Sequence, residues 1–238
     1  MRKLSLLALS SLLVPQIVWA QPDTQSSYRL LKLDGRVVKW GEPTLGTATE
    51  LTYGFITEPT QFDDARNCQT TGSLTPILEN NKIPESEFLA AATNAFAMWE
   101  SVSGIRFRKT DHTEVADILI GSDLGNHGWA HADVLSVPSG VEVDTITRGL
   151  VCLSTNKVWN VGFGKNENGQ DLQYTLTHEI GHAIGLNHAS PFGQIMSFNY
   201  GEAFADLQQG DIDGVRRLYG MPTLSHNTLA TAEQTPLR

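Results

Sequence analysis

THEIGHAIGLNHAS, residues 177–190, is the stretch on which the reading of this chain turns. The 238 residues hold seven histidines, and three of them, His178, His182 and His188, fall within these fourteen positions, with Glu179 beside the first. His178 and His182 are four apart, which on a helix stacks them one turn apart on nearly the same face, so both imidazoles reach one point. Glu179 projects to the side of that pair, placed to approach a water held at the point without being a ligand itself. The helix has no third ligand to offer in that direction, so the chain must turn back. Gly185 supplies a left-handed exit that other residues tolerate poorly, and His188 returns three residues later.

Three imidazoles with a fourth position left open make a catalytic zinc site, whereas structural zinc sites are closed by four protein ligands. An ion held this way draws the pKa of its water towards about 7 and polarises a peptide carbonyl. Glu179 then reads as the general base, taking the water's proton and passing it to the leaving amine.

Working outward, "QDLQYTLTHEIGHAIG" (170–185) sets Leu172, Leu176, Ile180, Ala183 and Ile184 on one face, a helical period that ends at Gly185. A last helix, "DLQQGDIDGVRRLYG" (206–220), carries Leu207, Ile212, Val215, Leu218 and Tyr219 inward. Upstream, Pro84 opens an amphipathic helix of about four turns through "PESEFLAAATNAFAMWESVSG", with Ser or Glu caps at its start and Phe88, Ala92, Ala95, Trp99 and Val102 on its apolar face. Short apolar or alternating segments read as strands at "ELTYGFI" (50–56), "GIRFRK" (104–109), "ADILIG" (116–121), "GWAHADV" (128–134) and "GLVCLS" (149–154). The layout is α/β (α+β), with a twisted sheet carrying the active-site helix and a C-terminal helix.

Residues 1–20 read as a secretory signal peptide: Arg2 and Lys3, an apolar run from Leu4 to Val14, and Val18-Trp19-Ala20 at the cleavage site. Residues 21–36 are an aperiodic N-terminal extension, 37–220 the catalytic domain, and 221–238 a flexible C-terminal tail. The protein is therefore expected to be exported, secreted or periplasmic, without a membrane span. Its formal charge is −9, and −11 once residues 1–20 are removed, which leaves no electrostatic footprint for nucleic acid or anionic lipid. Calcium is possible at acids such as Asp63–Asp64, but no motif supports it. Cys68 and Cys152 in an exported chain read first as a disulfide, with two free thiols or one metal-bound thiol as the competing readings.

"HEIGHAIGLNH" matches HExxHxxGxxH, and the chain resembles the metzincin metallopeptidases, in particular the matrixins (the matrix metalloproteinase family) in a secreted, bacterial-type form. Met196 in "GQIMSF" resembles the clan's methionine turn, with the matrixin spacing from His188, and "DIDGVRRLYG" (211–220) resembles the helix that closes a matrixin catalytic domain. The resemblance implies a zinc endopeptidase with the metzincin, zincin-like fold: a mostly parallel sheet with an antiparallel edge strand, along which a protein or peptide substrate lies extended. The expected state is a monomer. It also implies that Met196 packs under the imidazoles and that Asp211 ties the last helix to the methionine turn. Tyr174 stands where matrixins floor the main specificity pocket, implying a shallow or medium pocket suited to Leu or Met; a plain core tyrosine is the competing reading. The rival function is a non-catalytic zinc-binding or adhesion module on the same fold, which loss of Glu179 would have favoured.

The departures from the family are specific. The loop that carries a second, structural zinc in matrixins is too short here, so His131, with His127 and Asp123 nearby, reads as a solvated or hydrogen-bonded histidine. Phe198 replaces the proline usual two residues after the turn methionine, and Tyr200 is two residues too late to reach the zinc as the tyrosine of sister families does. No propeptide cysteine motif precedes the domain, and Gly210 replaces the acid that receives a newly cut N-terminus.

Overall fold

The structure is a computed structural model that describes residues 28–125, 128–139, 142–164, 169–189 and 193–222. The signal-peptide reading of residues 1–20, the start of the extension, His127 and the tail from 223 onward lie outside the described residues. In chain order the main elements are β1 (Arg36–Lys39), β2 (Thr49–Phe55), α1 (Thr75–Asn81), α2 (Glu85–Val102), β3 (Ile105–Lys109), β4 (Ile118–Asp123), β5 (Ala130–Val137), β6 (Val143–Ser154), α3 (Leu172–Ala183) and α4 (Gln209–Tyr219).

β6 organises the sheet. Its first residues pair in parallel with β1, Val143 opposite Val37, and its second half pairs in parallel with β4, from Gly149 opposite Ile118 to Ser154 opposite Asp123. β4 continues in parallel to β2, and β2 to β3. Along its other side β6 carries β5 antiparallel, Leu153 opposite Ala130 and Thr145 opposite Val137. The expected mostly parallel sheet with an antiparallel edge strand is present, and every residue of β4 is buried, as a strand covered on both faces requires.

The pleat divides the core. Ile118, Ile120, Val151 and Leu153 face the helices and pack with Phe88, Trp99, Leu176 and Ile180. Leu119, Leu150 and Cys152 point the other way, into a smaller core covered by Phe62, Ala65 and Cys68. Cys68 and Cys152 are joined there as a disulfide, with sulfurs 2.08 Å apart. Helix α2 lies on α3, where the indole N–H of Trp99 donates to the Thr177 carbonyl at 3.0 Å.

Three local expectations change. Helix α2 has Pro84 at its N-cap and no side-chain cap; Glu85 and Glu87 in the first turn face the helix dipole instead, and its 18 residues make five turns. Helix α1 escaped the periodicity reading because seven residues are too few to show a face. Within the segment read as aperiodic, Arg29–Leu30 pairs with Leu186–Asn187 and Lys32–Leu33 pairs with β1, each a two-residue strand too short to alternate visibly.

Candidate metal centre

Asp171 caps α3, accepting the Tyr174 N–H at 2.7 Å and reaching across to the Gly162 N–H at 2.9 Å. Burial pushes its carboxyl up, against the pull of those N–H groups. At the far end, the carbonyls that α3 leaves unpaired are taken by two aromatic side chains. Trp40 Nε1–H donates to Ala183 O at 2.8 Å, and the Tyr219 hydroxyl donates to Ile184 O at 2.7 Å. Gly185 follows with φ +100°, and a Cβ there would stand 2.5 Å from the Val38 carbonyl oxygen. The position needs glycine for its conformation and for its space. The chain then returns through Leu186–Asn187 and presents His188.

The three Nε2 atoms form a triangle 3.1 Å on each side. His178 Nδ1 lies 2.6 Å from Ile195 O and His182 Nδ1 lies 2.9 Å from Leu186 O. A carbonyl oxygen only accepts, so both Nδ1 atoms carry the proton and both Nε2 lone pairs point into the triangle. Lone pairs facing one another at that distance call for a cation between them. Nitrogen ligands 2.0–2.1 Å from a tetrahedral zinc lie roughly 3.3 Å apart, so the triangle fits the ion. Burial pushes the His178 imidazolium down to about 4, His182 well below the usual range and His188 down as well, so all three rings are neutral, the ligating form, at neutral pH. Among the described residues this is the one cluster of such side chains placed to hold a metal ion.

Glu179 is buried, and burial alone pushes its carboxyl up to about 8; a cation held by the neighbouring histidines would pull it back down towards the ionised form that a base requires. It lines the open cleft together with the three histidines. It also lines an adjoining cavity of about 260 Å³ with Trp129, Tyr174 and Tyr200. Tyr174 is buried and its ring meets Tyr200 edge-on at 4.9 Å, both lining that cavity. Desolvation raises the Tyr174 phenol to about 12.

Asp211 of α4 holds the turn that carries Met196. Its two carboxylate oxygens accept the backbone N–H groups of Ile195 and Met196, each at 2.9 Å, and that of Gln208 at 2.9 Å. Burial pushes the Asp211 carboxyl up while those three N–H groups pull it down. Met196 is buried against α3 at Gly181, where a Cβ would stand 2.3 Å from its sulfur and 2.9 Å from the Trp99 ring.

Of the other residues singled out in the sequence, Phe198 and His131 line the histidine cleft and Tyr200 lines the adjoining cavity, while Asp63, Asp64 and Asp123 line neither. Phe198 is exposed and sets its ring edge-on to His188, 5.1 Å between centroids. The Tyr200 hydroxyl accepts the Asp171 N–H at 2.8 Å and donates to Glu202, away from the histidines. Asp123 Oδ1 accepts the Gly125 N–H, His131 stands on β5, and Asp63 and Asp64 are exposed. Four supporting residues escaped sequence reasoning. Asp171 carried a usable signal, an N-cap acid immediately before an apolar period. Trp40, Gly181 and Tyr219 act through partners distant in the chain, and no local pattern marks them.

A helix bearing two imidazoles, a glycine return to a third, a buried carboxylate beside them and a methionine packed against the same helix define a metzincin metal centre. The family model described as Matrixin matches residues 68–220, and the chain belongs to the matrixin family. It is 30% identical over 186 residues to metalloendoproteinase 1 of Glycine max, covering 74% of this chain and 60% of that protein. Over 153 residues it is 31% identical to metalloendoproteinase 1-MMP of Arabidopsis thaliana, covering 59% of this chain and 40% of that protein. It is 28% identical over 161 residues to matrix metalloproteinase-16 of Homo sapiens, covering 59% of this chain and 25% of that protein. The chain thus spans less than two thirds of the length of these relatives.

Proposed function

We propose that this chain is an exported, zinc-dependent endopeptidase in which Glu179 is the general base. The observation that carries the reading is the place of Glu179, buried at the junction between the three-histidine cleft and the Tyr174 cavity. Zinc, when bound by His178, His182 and His188, supplies a Lewis acid for the scissile carbonyl and makes its water acidic enough to lose a proton near neutral pH. Glu179 accepts the proton of the attacking water and delivers it to the departing amine. The backbone carbonyls of Ile195 and Leu186 hold the ligand rings in orientation, and Asp211 holds Ile195.

The substrate lies extended as an added strand beside β5. The side chain next to the cut bond enters the cavity floored by Tyr174, whose volume of about 260 Å³ suits Leu or Met. Residues 37–220 form the catalytic unit, 1–20 direct export, 21–36 are an extension, and 221–238 are a tail. Among the described residues no helix is long and apolar enough to cross a membrane.

The test uses the chain from residue 21 onward and an unfolded protein substrate. Cleavage that a chelator abolishes and one equivalent of zinc restores is the expected result. Zinc held stoichiometrically with the substrate left intact would sink the proposal in favour of a binding module.

A further inference from the structure

The segment between β2 and α1 does more than connect them. Thr60–Gln61 folds back antiparallel on Thr70–Thr71, and Thr71–Gly72 adds antiparallel to the end of β4, opposite Asp123 and Ser122. Gly121 of β4 makes that approach possible: a Cβ there would stand 2.5 Å from the Thr71 side chain and 2.6 Å from the Gly72 carbonyl oxygen. From this hook the segment crosses the back of β6, where Phe62, Ala65 and Cys68 pack over Leu119, Leu150 and Cys152. Its tip, residues 66–68, reaches β5. Residues 60–72 thus form a belt over the face of the sheet opposite the helices.

Two anchors fix the tip. Oδ2 of Asp133, on β5, accepts the backbone N–H groups of Arg66 at 3.0 Å, Asn67 at 2.7 Å and Cys68 at 2.9 Å, and Oδ1 accepts the Asn67 side-chain amide at 3.1 Å. Bonds to an ionised acceptor are the stronger kind. Cys68 is also bonded to Cys152, which lies opposite His131 in the β5–β6 ladder, two residues along from Leu150 opposite Asp133. The pleat sorts the side chains of β5 accordingly. Ala130, Ala132 and Val134 pack on the main core, and Asp133 between them points to the back, where the belt lies.

β5 is short of other support. Among the described residues it pairs with β6 alone, and that ladder shifts register between Ile146 and Arg148. Its second edge is the one that the proposed function gives to the substrate, so the strand's place must be set from its faces. Helix α3 lies against the front, and the belt grips the back. A strand already ordered before binding has less freedom to lose when a peptide adds to it, and the difference is read in KM rather than in kcat.

We propose that the belt positions β5 for its substrate, with Asp133 as the positioning residue and the Cys68–Cys152 disulfide as the second anchor. The inference rests on the endopeptidase reading, and its test separates the two. Asp133→Ala removes all four acceptor contacts, whereas Asp133→Asn keeps an oxygen for the three backbone N–H groups. The zinc-loaded chain from residue 21 onward is assayed with one fluorogenic peptide long enough to span β5. KM is expected to rise at least about fivefold in Asp133→Ala and to stay within about twofold of the parent in Asp133→Asn, with kcat and zinc affinity within about twofold in both. Three results overturn the positioning role: a parent-like KM in Asp133→Ala, a KM in Asp133→Asn as high as in Asp133→Ala, or a loss of kcat or zinc as large as the rise in KM. Hydrogen exchange on the unmodified protein tests the anchor independently of how the variants fold. The amides of Arg66, Asn67 and Cys68 are expected to exchange at least about tenfold more slowly than those of an open loop, and exchange at the open-loop rate overturns the proposal. If the parent cuts no peptide, the endopeptidase reading fails. The Kd of the same peptide, from fluorescence anisotropy, then takes the place of KM: a rise of about fivefold in Asp133→Ala supports the belt, and an unchanged Kd refutes it.

Discussion

Replacing Asp211 by Asn tests how the far helix reaches the metal. One carboxylate oxygen of Asp211 serves the N–H groups of Ile195 and Gln208, and the other serves Met196. An asparagine keeps a single acceptor oxygen. Placed to serve the first two donors, it turns an amide NH2 against the Met196 N–H and leaves a buried donor unpaired, at about 1–3 kcal/mol. The other two bonds lose their charge assistance, so the whole change is worth about 2–4 kcal/mol. The loss passes to the metal because Met196 loses its acceptor and the adjacent Ile195, now held by a neutral oxygen, is the residue whose carbonyl holds Nδ1 of His178 at 2.6 Å. Loosening a partner that orients a ligand costs roughly 10–100-fold in metal affinity. Urea unfolding of the zinc-free protein measures the first quantity, and competition with a chromophoric chelator measures the second. Stability within about 0.5 kcal/mol of the parent, the scale of an ordinary surface change, together with unchanged zinc affinity would refute the coupling of α4 to the metal point.

Three further outcomes follow from the packing. Gly181→Ala forces a methyl to within 2.3 Å of the Met196 sulfur and is expected to lower stability by about 1–3 kcal/mol in a thermal melt; a neutral effect would mean that Met196 does not pack there. Lys39 is wholly buried with Nζ donating to the carbonyls of Trp40 and Glu42, and burial lowers its ammonium to about 8. The unfolded chain therefore binds more protons between about pH 8 and 10.5, and stability rises across that window relative to Lys39→Met, by up to about 3 kcal/mol; a difference that stays flat with pH would contradict it. Cys68→Ser with Cys152→Ser opens a link between residues 84 apart and is expected to cost about 4–5 kcal/mol on the chain-entropy model, read by denaturant unfolding; a loss below about 1 kcal/mol would show that Asp133 alone holds the loop.

The metal site was legible because its logic is local. A spacing of four, a glycine and a return of three residues specify the convergence of His178, His182 and His188 without reference to the rest of the chain. The fold class was legible for a related reason: α2, α3 and α4 are long enough to show a face, and the fully buried β4 opens with the apolar run Ile118–Leu119–Ile120. What stayed hidden depends on distance in sequence. Trp40 and Tyr219 close the end of α3 from 143 and 35 residues away, and Asp133 grips a loop 65 to 67 residues upstream. Gly181 resembled any small residue on a helix until Met196 was seen against it. The short strands at 29–33 escaped because two residues cannot display an alternation.

Glu179 moves the proton at a metal point built by the three histidines. Glu179→Ala, assayed beside the parent for zinc content and for cleavage of an unfolded protein, tests it most directly. One zinc per chain is expected in both proteins, with a rate lowered by about 10²–10⁴-fold in the variant. A variant that keeps its zinc and cuts at the parent's rate would contradict it.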